Sequence, residues 1–285
     1  MSHRKIRPAG ALSSAAAWAV LGFFALLIMV PLAFMLGASL MPAIDVMSMP
    51  YPWLPRVPKW SNYVHALAGN DGSWIYSRNI LNSIIVSCTI AVTTVLFSAA
   101  TGFGLAKYRF KGRNAAFMAF MATMMIPFET VMIPLFIIAV KLRLQDSYAG
   151  LIVPFLMSAF GVFLMRQYLI GFPDEVLDAA RIDGCSEPRM LVRVVMPNAG
   201  PAAATLAILA FRQQWDNLLW PLLIAQRAVM KTIPAYIAGF AAEKNSDEAA
   251  LMAVAVIASI PVFAMFLGLS RYFLGGSSVY SAGKE

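Results

Sequence analysis

Gly171-Phe-Pro-Asp-Glu-Val-Leu-Asp-Ala-Ala-Arg-Ile-Asp-Gly184, followed by Cys-Ser-Glu-Pro-Arg-Met-Leu-Val-Arg-Val-Val-Met-Pro197, is a polar island in an apolar chain. Its local chemistry spells two short helices. Pro173, Asp174 and Glu175 suit a helix start, because carboxylates are stabilised beside exposed N–H groups and proline is pre-set for the first turn. Val176, Leu177, Ala180 and Ile182 give an apolar stripe. Gly184 stands where a left-handed stop is needed. Ser186 is placed to cap a second helix with Pro188 in its first turn, and Pro197 marks the start of the next apolar run. A segment this polar does not lie in lipid. It is either a solvated connector or a surface packed on a soluble partner.

Around the island the composition leaves one class. The chain has 285 residues, of which 60% are apolar and 13% charged, and its mean hydropathy is +0.72. A soluble domain carries about 25% charged residues, and a disordered chain needs low hydrophobicity with high charge. Both are excluded, and a multi-span membrane protein remains. A span needs roughly 20 apolar residues. Six stretches qualify: Ser14 to Leu40, Asn79 to Ala106, Ala115 to Val140, Tyr148 to Ile170, Pro201 to Ala225 and Ala249 to Phe273. The expected fold is all-α and polytopic. It divides into a tail over 1–13, a first helix over 14–40, an external segment over 41–78, a core over 79–274 and a tail over 275–285. The first apolar run is longer than a cleaved signal core, so it reads as a retained helix.

The net charge of +8 would suggest nucleic acid in a soluble protein. In a membrane protein it reflects loops held by the positive-inside rule, and no nucleic-acid partner is expected. Lys107, Arg109, Lys111 and Arg113 crowd the turn between spans two and three. Arg166, Arg181, Arg189 and Arg193 lie in or beside the island, on the same side. That side is therefore cytoplasmic and holds both termini. The segment 41–78 carries Pro42, Pro50, Pro52, Pro55 and Pro58 with Trp53, Trp60 and Trp74. It reads as an interfacial cap or as a dock for an external partner. Cys88 and Cys185 give no disulfide framework, and His3 and His65 alone make no metal site. No Gly-x4-Gly-Lys-Ser/Thr loop is present, so ATP is not handled here by that route.

Charges inside spans are costly and face a bundle interior or a water-filled path. Arg212 falls about halfway along the fifth span, beside Gln213, Trp215, Asp216 and Asn217. Arg212 and Asp216, four apart, can pair on one face; the pair either holds helices together or lines a path. Glu129 lies mid-way in the third span between Pro127 and Pro134. It marks either a hinge beside the path or a buried carboxyl. Ser98/Gly102 and Ala100/Gly104 repeat the small-x3-small pattern of close helix approach.

The island resembles the signature loop of permease subunits in bacterial ABC importers: Glu-Ala-Ala, three residues, Gly, nine residues, Ile-x-Leu-Pro. Here it reads Asp178-Ala179-Ala180, Gly184 and Val194-Val195-Met196-Pro197, with spacing kept and conservative changes at 178, 194 and 196. Asn82-Ser83, the Tyr108 to Arg113 turn, Phe163 to Gln167, Ala179 to Gly184, Trp215-Asp216-Asn217 and the tail from Arg271 to Lys284 are similar to the carbohydrate subclass, the maltose and glycerol-phosphate importer type. The resemblance implies a type I permease with six transmembrane helices and no catalysis of its own. It implies a second homologous permease, two ATPase subunits that hold ATP and Mg, and an extracytoplasmic solute-binding protein, all around an inner membrane whose lipid the chain contacts. No cofactor belongs to this chain. The loop 171–198 would be the coupling element, with Glu175, Asp178, Ala179, Ala180, Arg181, Asp183, Gly184 and Pro197 as its residues. Small Ala179 and Ala180 would let it approach the ATPase, and Ser277 to Glu285 would lie against the ATPases. Glu129, Arg212, Gln213, Trp215, Asp216 and Asn217 are the candidate path residues for a sugar or sugar derivative. A phosphodiester or peptide cargo, an ion-coupled transporter and a membrane enzyme are the rivals. The last would need a nucleophile–base or metal set, which the two histidines do not supply.

Overall fold

A computed structural model describes residues 9–50, 52–69, 72–241 and 247–275. Every element among them is helical. The expected tails therefore lie largely outside the described residues, including Ser277 to Glu285. The described residues within 1–72 and 241–257, and those within 73–240 and 258–285, form two compact units.

In the first unit, α1 (Ala9–Ser39) is long and apolar enough to cross a membrane. Two short helices follow, α2 (Ala43–Val46) and α3 (Ser61–Ala68). The proline-rich chain is stitched to the end of α1 by side chains. Buried Asn62 donates to the carbonyls of Ser39 at 2.9 Å and Met41 at 2.8 Å. Ser39 Oγ and Tyr63 Oη are 2.8 Å apart. Trp53 and Trp60 stay exposed.

The second unit is built on α4 (Ile75–Lys107), an unbroken helix. The expected spans three, four and five are broken instead. The third is α5 (Arg113–Met124) and α6 (Phe128–Lys141), bent by 96°. The hinge expected between Pro127 and Pro134 is a full break at Pro127, which sits in the extended conformation that precedes a new helix, while Pro134 lies inside α6. The fourth is α7 (Tyr148–Ile152) with a 3-10 turn over Val153–Phe155, then α8 (Ala159–Ile170), bent by 45°. Ser158 caps α8 by accepting from Gly161 N. Two further elements, α9 (Asp174–Ile182) and α10 (Glu187–Met190), run through a π turn into α11 (Met196–Asn198). The fifth span starts at α12 (Gly200–Trp215), breaks, and resumes as α13 (Leu219–Ile224). After α14 (Ile233–Ala241), the sixth is α15 (Glu248–Gly275). Among the described residues, three helices pass alone by length and composition and three bent pairs pass together, the third being Glu187–Asn198 with α12 rather than α12 with α13, so up to six spans are counted.

Close approach fixes α4 against α8. A Cβ at Gly102 would stand 2.9 Å from Arg166 N, and one at Gly161 would stand 2.3 Å from Ser98 Oγ. The Ser98/Gly102 face thus forms the tight contact. Gly104 faces open space, so only half of the small-x3-small pattern is used for packing.

Candidate functional site

The loop 174–198 is built as its sequence dictates at one end and not at the other. Asp174 and Glu175 occupy the first turn of α9. Gly184 takes φ 75°, and its N–H reaches Arg181 O at 3.0 Å while Cys185 N reaches Ala180 O at 2.9 Å. This pair of bonds is a Schellman stop, and only glycine enters it without strain. Ser186 has the backbone of a cap, but its side chain makes no capping bond. Pro197 does not open the fifth span. It lies inside the helical run Glu187–Asn198, which meets α12 at 87°. Having no N–H, Pro197 leaves the Arg193 carbonyl without its usual donor, and the helix widens to a π turn over Leu191–Val195.

The apolar stripe of α9 divides in two. Leu177 is 1% exposed and, with Met190, enters a core of Phe103, Met165, Leu169 and Leu206; Ala180 packs on its edge. Ala180 is therefore small for the sake of the inward face. Ala179 faces outward between Val176 and Ile182, and Ile182 is 86% exposed. Asp178, Asp183, Gly184 and Pro197 are also exposed.

Charged bonds hold the loop to the end of α4. Lys107, in the last turn of α4 with its side chain only 7% exposed, donates to Phe172 O and to Asp174 Oδ1 at 2.7 Å. Tyr108 Oη donates to Glu187. Arg181 spans both helices, donating from Nε to Glu187 Oε1 at 2.9 Å and from Nη1 to Asp178 Oδ1 at 2.8 Å. The hydrogen bond from Lys107 holds the Asp174 carboxyl below its ordinary range. Bonds from Arg181 and Tyr108 do the same for Glu187. Burial, then the bond to Glu187, pushes the Tyr108 hydroxyl up. Lys107, Tyr108 and Glu187 were not among the expected loop residues. Tyr108 and Glu187 are 79 positions apart, and only the fold pairs them.

The polar cluster of span five is rearranged by the break. Arg212 sits in the last turn of α12 rather than mid-helix. Asn217 takes the Trp220 N–H on its Oδ1 and donates to Gln214 Oε1 at 3.2 Å, so its side chain starts α13. Arg212 Nε and Asp216 Oδ2 are 3.5 Å apart on an exposed face, together with Gln213. Trp215 turns away from that face. It is 4% exposed, stacks on Phe211 at 5.4 Å and donates to Ala258 O at 3.1 Å, which makes it a packing residue. Glu129 is exposed in the first turn of α6, directly after the break. The buried-carboxyl expectation is therefore corrected: the break at Pro127 puts Glu129 at a helix start, where a carboxylate is stabilised.

The three breaks meet. Phe128 at the start of α6, Phe155 before the break in span four and Trp220 at the start of α13 form one aromatic hub, with ring centroids 5.2, 6.1 and 6.3 Å apart. Trp220 Nε1 donates to Gly150 O at 2.9 Å. Broken backbone at membrane depth is tolerated where it is buried in protein or lines water.

Comparison with known proteins agrees with this architecture. The model of the family described as "Binding-protein-dependent transport system inner membrane component" matches residues 95–275. The chain is 38% identical over 225 residues to the arabinooligosaccharides transport system permease protein AraQ of Bacillus subtilis, covering 79% of each chain. It is 30% identical over 259 residues to the sn-glycerol-3-phosphate transport system permease protein UgpE of Rhizobium meliloti, covering 88% of this chain and 91% of that one. A bacterial ABC transporter involved in the import of the acidic polysaccharide alginate shares the fold, with a TM-score of 0.82 at 24% identity over 94% of this chain and 99% of that one. Apolar helices broken in mid-span, the loop at its signature spacing and these matches have one common reading: the chain belongs to the family of binding-protein-dependent transport system inner membrane components.

Proposed function

We propose that this chain is the sugar-conducting permease of an ATP-driven importer and that its 174–198 loop is the surface gripped by ATPase subunits. In this reading the loop and both termini are cytoplasmic. The chain does no covalent chemistry; two ATPases hold ATP and Mg, a second permease completes the path, and a solute-binding protein delivers cargo on the far side. The carrying observation is the outward face of α9. Ile182 is 86% exposed, and Val176 and Val192 are exposed too, on a loop that buries Leu177 and Met190. A helix face that shows Val176 and Ile182 on either side of small Ala179 is built to fill a partner's cleft, with Ile182 its most prominent group. The test is copurification and ATP-driven uptake with Ile182→Asp. The expected result is loss of ATPase binding by about thirty-fold or more, as for an interface anchor, with membrane insertion kept. Unchanged binding and uptake would overturn the reading.

The path is proposed to run along the exposed faces of α12 and α6, past Arg212, Gln213, Asp216 and Glu129. Exposed charges against lipid are unfavourable by roughly 2.5–3.5 kcal/mol each, so this face is assigned to water and cargo. Relatives named for arabinooligosaccharides and for sn-glycerol-3-phosphate support a hydroxyl-rich cargo. Competition of both compounds for uptake distinguishes a sugar from a polyol phosphate.

A further inference from the structure

The turn from Lys107 to Arg113 and the Asn82-Ser83 pair are left unexplained by docking and conduction, yet they sit at the two ends of one helix. Of the three helices individually long enough to span a membrane, α1 contains Pro31 and α15 contains Pro261, whereas α4 contains none. Its 33 residues extend about 50 Å at 1.5 Å per residue. The other candidate spans among the described residues are bent pairs.

Both ends of α4 are bonded to other segments. At the loop end, Lys107 and Tyr108 hold α9 and α10 as described. At the far end, Asn79 donates to Ala228 O at 2.9 Å and Lys231 O at 2.8 Å. Asn82 donates to Val229 O at 2.9 Å and Lys231 O at 3.0 Å. Ser83 Oγ accepts from Ile233 N at 2.8 Å. These residues, at i, i+3 and i+4, share one helix face and clamp the connection between α13 and α14. That connection is tied onward: Asp146 accepts from Arg227 N at 2.7 Å, and Asp146 N donates to Ile224 O at 2.9 Å.

We propose that α4 is the rod that carries displacement of the 174–198 loop to the far end of the bundle. Lys107 and Tyr108 are its positioning residues at one end, and Asn79, Asn82 and Ser83 at the other; the proposal rests on the loop being the ATPase-docking element. A continuous helix without proline, bonded at both ends, has no break in which motion is absorbed. The 228–233 segment therefore moves whenever the loop does.

The experiment uses the full transporter with its ATPases in proteoliposomes. A spin label is placed at Val229→Cys in a Cys88→Ser/Cys185→Ser background; Val229 is 46% exposed, and its carbonyl is held by Asn82. Addition of ATP and Mg is expected to change the label's spectrum. In Lys107→Met/Tyr108→Phe the change should shrink by about five-fold, the lower range of an ordinary coupling factor, with ATPase copurification and hydrolysis retained. Restoring Tyr108 and placing Arg at 107, which keeps the cation, should restore it. A full response in Lys107→Met/Tyr108→Phe, no response in the labelled parent, or no restoration by Lys107→Arg would each overturn the rod. If the double variant fails to assemble, Tyr108→Phe alone decides: a reduced response supports the rod and an unaltered one overturns it. If Ile182→Asp leaves the ATPases bound and the label responsive, the docking reading itself has failed. If Ile182→Asp releases the ATPases while Lys107→Met/Tyr108→Phe stays responsive, only the rod has failed.

Discussion

The two ends of α4 are fastened by different chemistry. At the loop end Lys107 and Tyr108 reach carboxylates, and those partners are wet: the Asp174 side chain is 75% exposed and that of Glu187 42%. At the far end neutral amides grip backbone carbonyls, and Asn79 and Asn82 are fully buried. A wet ion pair contributes little and weakens with salt. A buried amide contributes about 1 kcal/mol per bond, and its removal strands carbonyls at roughly 1–3 kcal/mol each. The far end is thus a fixed clamp. The loop end is a fastening whose strength answers to the solution around it.

That contrast can be broken in several places. The largest effect belongs to Asn82→Ala. It deprives the Val229 and Lys231 carbonyls of a donor and the Tyr148 hydroxyl of its acceptor at 2.7 Å. Stability should fall by about 3 kcal/mol, read as a lower unfolding temperature in detergent that added salt does not alter. A fall that salt reverses would erase the distinction between the ends. Next comes Gly184→Val. A Cβ there meets nothing within 4 Å, but φ is +75°, so the cost of about 1–2 kcal/mol is conformational. The chain should still insert and unfold cooperatively, while α9 loses its stop and ATPase copurification drops.

Salt and acid sharpen the same contrast. Proteolysis of the 174–198 loop should accelerate between low and high ionic strength, with the 228–233 segment unaffected. For acid the sign is fixed by the lowered carboxyls of Asp174 and Glu187. A carboxyl lowered on folding adds stability that is present above its unfolded value, about 4, and is lost as pH falls through its folded value. Loop protection should therefore be flat from neutral pH down to about 4 and decline below it. Decline at pH 6 would mean that other groups hold the loop. The smallest effect is expected for Asp178→Ala. Its bond to Arg181 is an exposed i,i+3 pair worth about 0.5 kcal/mol or less, so any large loss of function would place Asp178 against a partner.

Much of this was legible in the residues. The six apolar stretches, the polar island and its glycine stop follow from local composition and turn chemistry, and those are local properties. What composition did not reveal is where an apolar run stops being one helix. Pro127, Ser158 and Asn217 each mark a break inside a stretch that reads as continuous: Pro127 by its extended backbone, Ser158 and Asn217 by side chains that accept the N–H groups of a new helix. Trp215 looked like a path residue by proximity to Arg212 and Asp216, yet its place one residue before Asp216 turns it about 100° from that side chain, toward Phe211 and Ala258. Which half of the Val176, Leu177, Ala180 and Ile182 stripe faces inward was equally undetermined, since the partner surface comes from α4, α8 and α12.

The crossing of α4 and α8 has a consequence for how such a bundle is able to rearrange. With less than 3 Å between a hypothetical methyl on Gly102 or Gly161 and the opposing helix, the pair meets at a pivot without clearance. Sliding along the shared axis would drive Ser98 or Met165 into that point, whereas tilting about it disturbs neither. Held at Gly161 against Ser98 and at Gly102 against Met165, the two helices have no free length over which to slide past one another.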